Sequence, residues 1–184
     1  GGSGLYSLGD DFELEQQVPR STPYGDTSAD ILQGRWQDIA LCFLPRHGPG
    51  HRVPPHRINY RANLWSLKEQ GITQVIAVCA VGGIHPDLVP ASIVVPDQII
   101  DYTWSRQHTF FETDLTEVTH IDFTEPYCPA MRNQLLAAAG QVGIKTIASG
   151  TYGATQGPRL ETAAEIDRME RDGCHMVGMT GMPE

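Results

Sequence analysis

GPRLETAAE at residues 157–165 and VGMTGMPE at residues 177–184 decide how this chain folds. The first stretch has Gly-Pro ahead of an amphipathic run, which predicts a helix over Leu160–Arg171 stopped by Gly173. The second is apolar up to a Gly-Met-Thr turn, which predicts a strand over Cys174–Thr180. The amides of a helix entrance, two nearby acids, a Met side chain and a Thr hydroxyl could together hold a small polar molecule with one flat apolar face. The plainer alternative is a buried helix with a good N-terminus.

The same alternation continues upstream. Pro129–Val142 predicts a helix, Ile144–Tyr152 a strand, and Ile93–Ile100 a strand whose Pro96 marks an edge or bulge. Thr73–Val81 is apolar almost throughout and predicts a central strand covered on both faces, ending at Gly82-Gly83. Ile58–Gln70 carries Ile58, Ala62 and Trp65 at helical spacing, with Asn59 and Asn63 on one side. Ile31–Trp36 and Ile39–Pro45 read as two strands joined at Gly34, and residues 10–30 as loop and short strand. Residues 101–127, rich in His, Asp, Thr and aromatics, read as a long functional or interfacial loop. Strands alternating with helices indicate one α/β domain over residues 1–184 with a largely parallel sheet.

Composition narrows the function classes. A length of 184 residues suffices for a sizeable core. The net charge of −9, with 13 basic residues, argues against a nucleic-acid surface. No apolar stretch approaches a membrane span. Four scattered cysteines, none in a CxxC pair, suggest free thiols in a reducing, cytoplasmic setting.

Ligands of parallel α/β sheets sit beyond the carboxyl ends of the strands. Four groups stand just after predicted strands: the Gly1–Gly4 turn with Ser3, Arg46–His51, Ala80–Gly83, and Met179–Thr180. Arg46 offers a planar charged fork, His47 a further donor, Ser3 and Thr180 hydroxyls, and Ala80 and Gly82 accessible amides. This reads as a phosphate or sulfate cradle without a Walker lysine; a solvated loop with surface histidines is the alternative. His47, His51 and His56 could make a zinc site if a carboxylate joined them, but the prolines around them break any helix that would align them, and no metal is expected. No nucleophile elbow is present, and no cysteine stands out as activated.

Taken together, GGSGL (1–5), RHG (46–48), NYRANLWSLKEQG (59–71), AVGGI (80–84), HIDFTEPYCP (120–129), GPRLETAAE (157–165) and VGMTGMPE (177–184) resemble the trimeric purine nucleoside phosphorylase and methylthioadenosine phosphorylase family along nearly the whole chain. The resemblance implies a three-layer α/β fold with a mixed central sheet flanked by helices, and a homotrimer. It implies phosphorolysis of a purine nucleoside to a free base and a (methylthio)ribose 1-phosphate, without a cofactor and with inorganic phosphate as co-substrate. Among substrates it favours methylthioinosine, then methylthioadenosine, then purine nucleosides generally. It assigns Ser3, Arg46, His47, Ala80 and Thr180 to phosphate, Met179 to the ribose, His51 to the 5′ end, Leu160 and Glu161 to the base, and His120 to the 5′ pocket of a neighbouring subunit. Family members are longer. The chain therefore reads as incomplete at both ends, lacking a first strand and the segment that carries the Asn or Asp for purine N7. A catalytically silent fragment that keeps only oligomer or phosphate contacts is the alternative of a different class. A hydrolase using water is disfavoured, because water needs no anion cradle.

Overall fold

A computed structural model describes residues 1–184. Its contacts divide the chain into two compact units: residues 1–80 together with Glu184, and residues 81–183.

The first unit contains strands β1 (Phe12–Val18), β2 (Ser21–Thr22), β3 (Gly25–Asp26), β4 (Ile31–Trp36) and β5 (Ile39–Phe43), then helix α1 (Tyr60–Glu69). β1, β4 and β5 form an antiparallel sheet in that order. The β4–β5 turn is not at Gly34. That residue lies inside β4 opposite Leu14, where a Cβ would overlap Glu13 O; the reversal falls at Gln37-Asp38, with Gln37 at φ 53°. β1 is a seven-residue strand where only loop and short strand were expected. α1 opens on Asn59, whose side chain accepts from Ala62 N, while its amide donates to Tyr24 O at 2.7 Å. Asn63 bonds Ser28 N and Ser28 Oγ. Both asparagines are therefore structural ties. Ala29, Ile31, Ile58 and Ala62 are the most deeply buried apolar side chains here.

The largest departure from the expected elements is residues 73–81. They join no ladder, and Val75, Ile76 and Val78 are about half exposed. Gly2 N–H donating to Val78 O at 2.8 Å ties the segment to the N-terminal turn. The apolar pattern encodes a preference to be covered; being a central strand requires paired neighbours on both sides, and this segment has none.

The second unit contains β6 (Gly82–Gly83), β7 (Ile93–Val94), β8 (Gln98–Asp101), α2 (Pro129–Gln141), β9 (Thr146–Ile147), β10 (Thr151–Ala154), α3 (Ala163–Arg171) and β11 (Met176–Gly178). Its main sheet has the order β6-β11-β10-β8. β8, β10 and β11 are parallel and β6 antiparallel, so the sheet is mixed. β7 pairs with β9 separately.

Two predicted strands are thus each broken in two, at the same level. Pro96 has no N–H to give, and Asp97 Oδ1 instead accepts from Gly150 N at 2.8 Å. Arg132 of α2 donates to Pro96 O and Ala148 O across the break. Val177 packs with Met169 and Cys174 in one buried cluster, covered by Ile84, Ile100, Tyr102 and Ile166, and Tyr152, Ala154 and Met176 are also buried. Residues 102–127 contain no helix or strand.

Candidate functional site

In the first unit the chain leaves β5 and turns through Pro45 into Arg46 and His47. Arg46 N donates to Gly1 O at 2.9 Å, and Gly2 N holds Val78 O. Three of the four strand-exit groups are thereby gathered: the turn bearing Ser3, the Arg46-His47 loop, and the segment leading to Ala80. Ser3 and Ala80 are exposed, whereas Arg46 and His47 are buried. Arg46 Nε donates to Glu184 Oε2 at 2.7 Å, and Arg46 Nη1 lies 3.1 Å from His47 Nε2.

The partners of His47 set its tautomer. Nδ1 faces the Val53 carbonyl at 2.8 Å, which can only accept, so Nδ1 carries the proton. Nε2 faces a guanidinium, which can only donate, so Nε2 accepts. Burial pushes the His47 pKa below its ordinary value; the Val53 bond opposes that shift, and the Arg46 and His51 charges reinforce it. The second donor expected at His47 is therefore not presented in this arrangement. His47 instead holds Arg46. His51, at φ 56°, stacks on His47 with ring centroids 4.1 Å apart, and Tyr6 meets its edge. A cavity of about 280 Å³ runs beside this loop past Tyr6, Pro45 and Gly48, but Asp30 lines it, which disfavours an anion there. No group of three or more His, Cys, Asp or Glu is placed to hold a metal ion.

In the second unit the parallel neighbours β10 and β11 deliver the remaining groups at their carboxyl ends. Thr155 N donates to Gly178 O at 2.8 Å, and Thr155 Oγ1 donates to Glu161 Oε1 at 2.7 Å. Tyr152, buried in β10, accepts from Thr180 N through its hydroxyl at 3.1 Å. Gly178 and Gly181 lie against the Tyr152 ring, where a Cβ would overlap it. Gly157, at φ 63°, lies against the Met179 sulfur. Glu161 is thus tied through Thr155 to Gly178, and Thr180 to Tyr152, with Met179 between Gly178 and Thr180 in the chain. Leu160 is 79% exposed, and His120 is exposed in the long irregular segment.

The helix expected from Leu160 starts later, at Ala163. Thr162 Oγ1 accepts from Glu165 N while the Glu165 carboxylate accepts from Thr162 N, a reciprocal capping box. Gly157, Pro158, Leu160 and Glu161 therefore belong to a loop, and the acid at the helix N-terminus is Glu165. Arg159 donates to both oxygens of Glu165, at 2.9 and 2.8 Å.

Sequence reasoning missed Tyr152, Val53, Thr155 and Glu184. For Thr155 a signal existed: a hydroxyl three residues past the predicted Ile144–Tyr152 strand and six residues before an acid assigned to the site.

The model of the phosphorylase superfamily matches residues 6–184. A protein of Pseudomonas syringae pv. tomato named "Probable S-methyl-5'-thioinosine phosphorylase" is 53% identical over 184 residues, covering 100% of this chain and 74% of that protein. The 6-oxopurine nucleoside phosphorylase of Pyrococcus furiosus is 46% identical over 189 residues, covering 100% of this chain and 70% of the other. The solved apo methylthioadenosine phosphorylase of Schistosoma mansoni superposes with a TM-score of 0.95 at 35% identity, covering 100% of this chain and 71% of that one.

Proposed function

The chain belongs to the phosphorylase superfamily and has the α/β fold of the nucleoside phosphorylases; on that footing we propose that its preferred substrate is S-methyl-5′-thioinosine. It is a pentosyltransferase of the purine nucleoside phosphorylase type, splitting purine nucleosides with phosphate. In the proposed reaction a phosphate oxygen forms a bond to C1′ as the C1′–N9 bond breaks. The base leaves with the electron pair and takes up a proton. The products are hypoxanthine and 5-methylthioribose 1-phosphate. The sugar passes through a state with oxocarbenium character, so an anion held below C1′ both attacks and stabilises the developing charge.

The roles follow the chemistry of the side chains. Arg46, oriented by His47 and Glu184, supplies charge to the phosphate, with Ser3, Ala80 and Thr180 as further contacts. Met179 offers an apolar, polarisable surface to the ribose. Leu160 and His51 are assigned to the base and the 5′ end.

The observation that carries the substrate reading is the Glu161 carboxylate at the exit of β10, fixed as a hydrogen-bond acceptor by Thr155. A 6-oxopurine has a donor at N1 and adenine an acceptor there, so an ionised carboxylate pairs only with the former. The test is phosphate-dependent base release from methylthioinosine, methylthioadenosine and inosine, with Glu161→Gln alongside. A methylthioinosine preference that Glu161→Gln reduces is the expected result; a methylthioadenosine preference, or one insensitive to Glu161, refutes the reading.

We further infer a homotrimer in which the 102–127 segment packs on a neighbouring copy and brings His120 to its pocket. Trp104, Phe110, Phe111, Val118 and Ile121 are all at least 40% exposed there, more apolar surface than a solvated loop carries. Sedimentation as an active monomer would contradict this. All four cysteines are free thiols, which suits a cytoplasmic setting. No helix is long and apolar enough to cross a membrane.

A further inference from the structure

We infer that Thr155 is a positioning residue for base selection, its hydroxyl holding the Glu161 carboxylate in the orientation that meets the N1–H of a 6-oxopurine. The inference rests on the assignment of Glu161 to the base made above.

A threonine hydroxyl has one proton to donate. Two acceptors are in reach: Glu161 Oε1 at 2.7 Å and Gly178 O at 3.4 Å. The shorter bond to the charged acceptor takes the proton. Thr155 is itself fixed. It is 8% exposed, it follows β10 directly, and its N–H is bonded to Gly178 O at 2.8 Å. That bond ties it to the end of β11, one residue before Met179. A carboxylate on a loop is thus attached to the sheet through a single hydroxyl.

The surroundings keep Glu161 available. Its other oxygen, Oε2, makes no hydrogen bond within the protein. The nearest basic side chain in sequence, Arg159, is held by both oxygens of Glu165, which is also the capping acid of α3. Glu161 acts on Arg159 only through its charge, and the hydrogen bonds of that guanidinium go to Glu165 and Leu160 O. A glutamate carries several rotatable bonds, and ordering them before the base arrives removes a cost otherwise met on binding.

The test compares Thr155→Val, which keeps the shape and loses the hydroxyl, with Thr155→Ala, Thr155→Ser and Glu161→Gln in the enzyme. kcat/KM is measured for methylthioinosine and methylthioadenosine, with thermal denaturation as a control for folding. Thr155→Val and Thr155→Ala are expected to lower kcat/KM for methylthioinosine about ten-fold, the scale of one charge-assisted hydrogen bond. Methylthioadenosine should change less than about two-fold, since it gains nothing from the oriented acceptor. Thr155→Ser is expected to restore most of the difference. A merely structural role would lower both substrates equally, and that result overturns the inference, as does no loss in either variant. If Glu161→Gln shifts the ratio of the two nucleosides and Thr155→Val does not, positioning by Thr155 is overturned alone. If neither shifts it, the assignment of Glu161 to the base falls as well.

Discussion

Replacing Arg46 by alanine separates what this arginine does for an anion from what it does for the fold. Its side chain is 8% exposed and its Nε is 2.7 Å from a Glu184 carboxylate that is 18% exposed. A charge-assisted hydrogen bond contributes about 1.5–3 kcal/mol, so losing one to phosphate should raise the phosphate KM about ten- to a hundred-fold. Arg46→Ala also removes the Nε donor from Glu184 and the guanidinium that faces the lone pair of His47 Nε2. Each is a partly desolvated acceptor, and the cost is about 1–3 kcal/mol of stability for such a group. The double variant Arg46→Ala/Glu184→Ala removes the Glu184 acceptor as well and should recover part of the stability while remaining defective with phosphate. The assay is steady-state kinetics with phosphate varied at saturating nucleoside, beside thermal melts of both variants. An unchanged phosphate KM in the single variant would remove Arg46 from the anion site. Recovery of both stability and phosphate KM in the double variant would show that Arg46 acts only through the fold.

Gly157→Ala should impair turnover while leaving the rest of the second unit folded. At φ 63° an alanine costs about 1–2 kcal/mol, and its Cβ would displace the Met179 sulfur, so kcat/KM should fall for every nucleoside alike; unaltered kinetics would show that Met179 does not touch substrate. Acid should weaken the start of α3. The hydrogen bond from Arg159, then that from Thr162 N–H, lowers the Glu165 pKa from near 4.5 to about 2. A carboxylate whose folded pKa is lowered contributes stability above its unfolded pKa, and that contribution is lost as pH falls from about 4.5 to about 2. Melts taken from pH 5 to pH 2 should show this component in the native chain and not in Glu165→Gln, and parallel acid profiles would refute it.

What could be read from the residues, and what could not, divides by the range of the interaction. Helix α3 carries its start signal locally, as Thr162 followed three residues later by Glu165. The expectation of a helix from Leu160 gave weight to Gly157-Pro158 and passed over that box. The break in the Ile93–Ile100 strand was legible from Pro96, a residue without an N–H. Its companion break at residues 148–150 was not, because it depends on Asp97 and Arg132 reaching across from other segments. At the candidate site, Arg46, His47, Met179 and Thr180 were recognisable as polar or polarisable groups at strand exits. Tyr152 and Glu184 were not, because each acquires its role from a neighbour distant in sequence; Thr155 was legible only as a hydroxyl near a strand's end, six residues before Glu161. Thr155 reaches Gly178 only because β10 lies beside β11, and local periodicity does not specify strand order. The ring of His47 was not legible for the same reason: its partners are the Val53 carbonyl and the Arg46 guanidinium, and a pattern of residue types does not contain a tautomer.

The exposed segment at residues 73–81 bears on how the polypeptide behaves while it is being made and handled. It is a β-prone run with no charged residue, no proline and no glycine, and its backbone joins no ladder. Such a run is a template for pairing with the same run in another molecule, which is how cross-β aggregation begins. Association of one chain with another through this run is favoured as concentration rises.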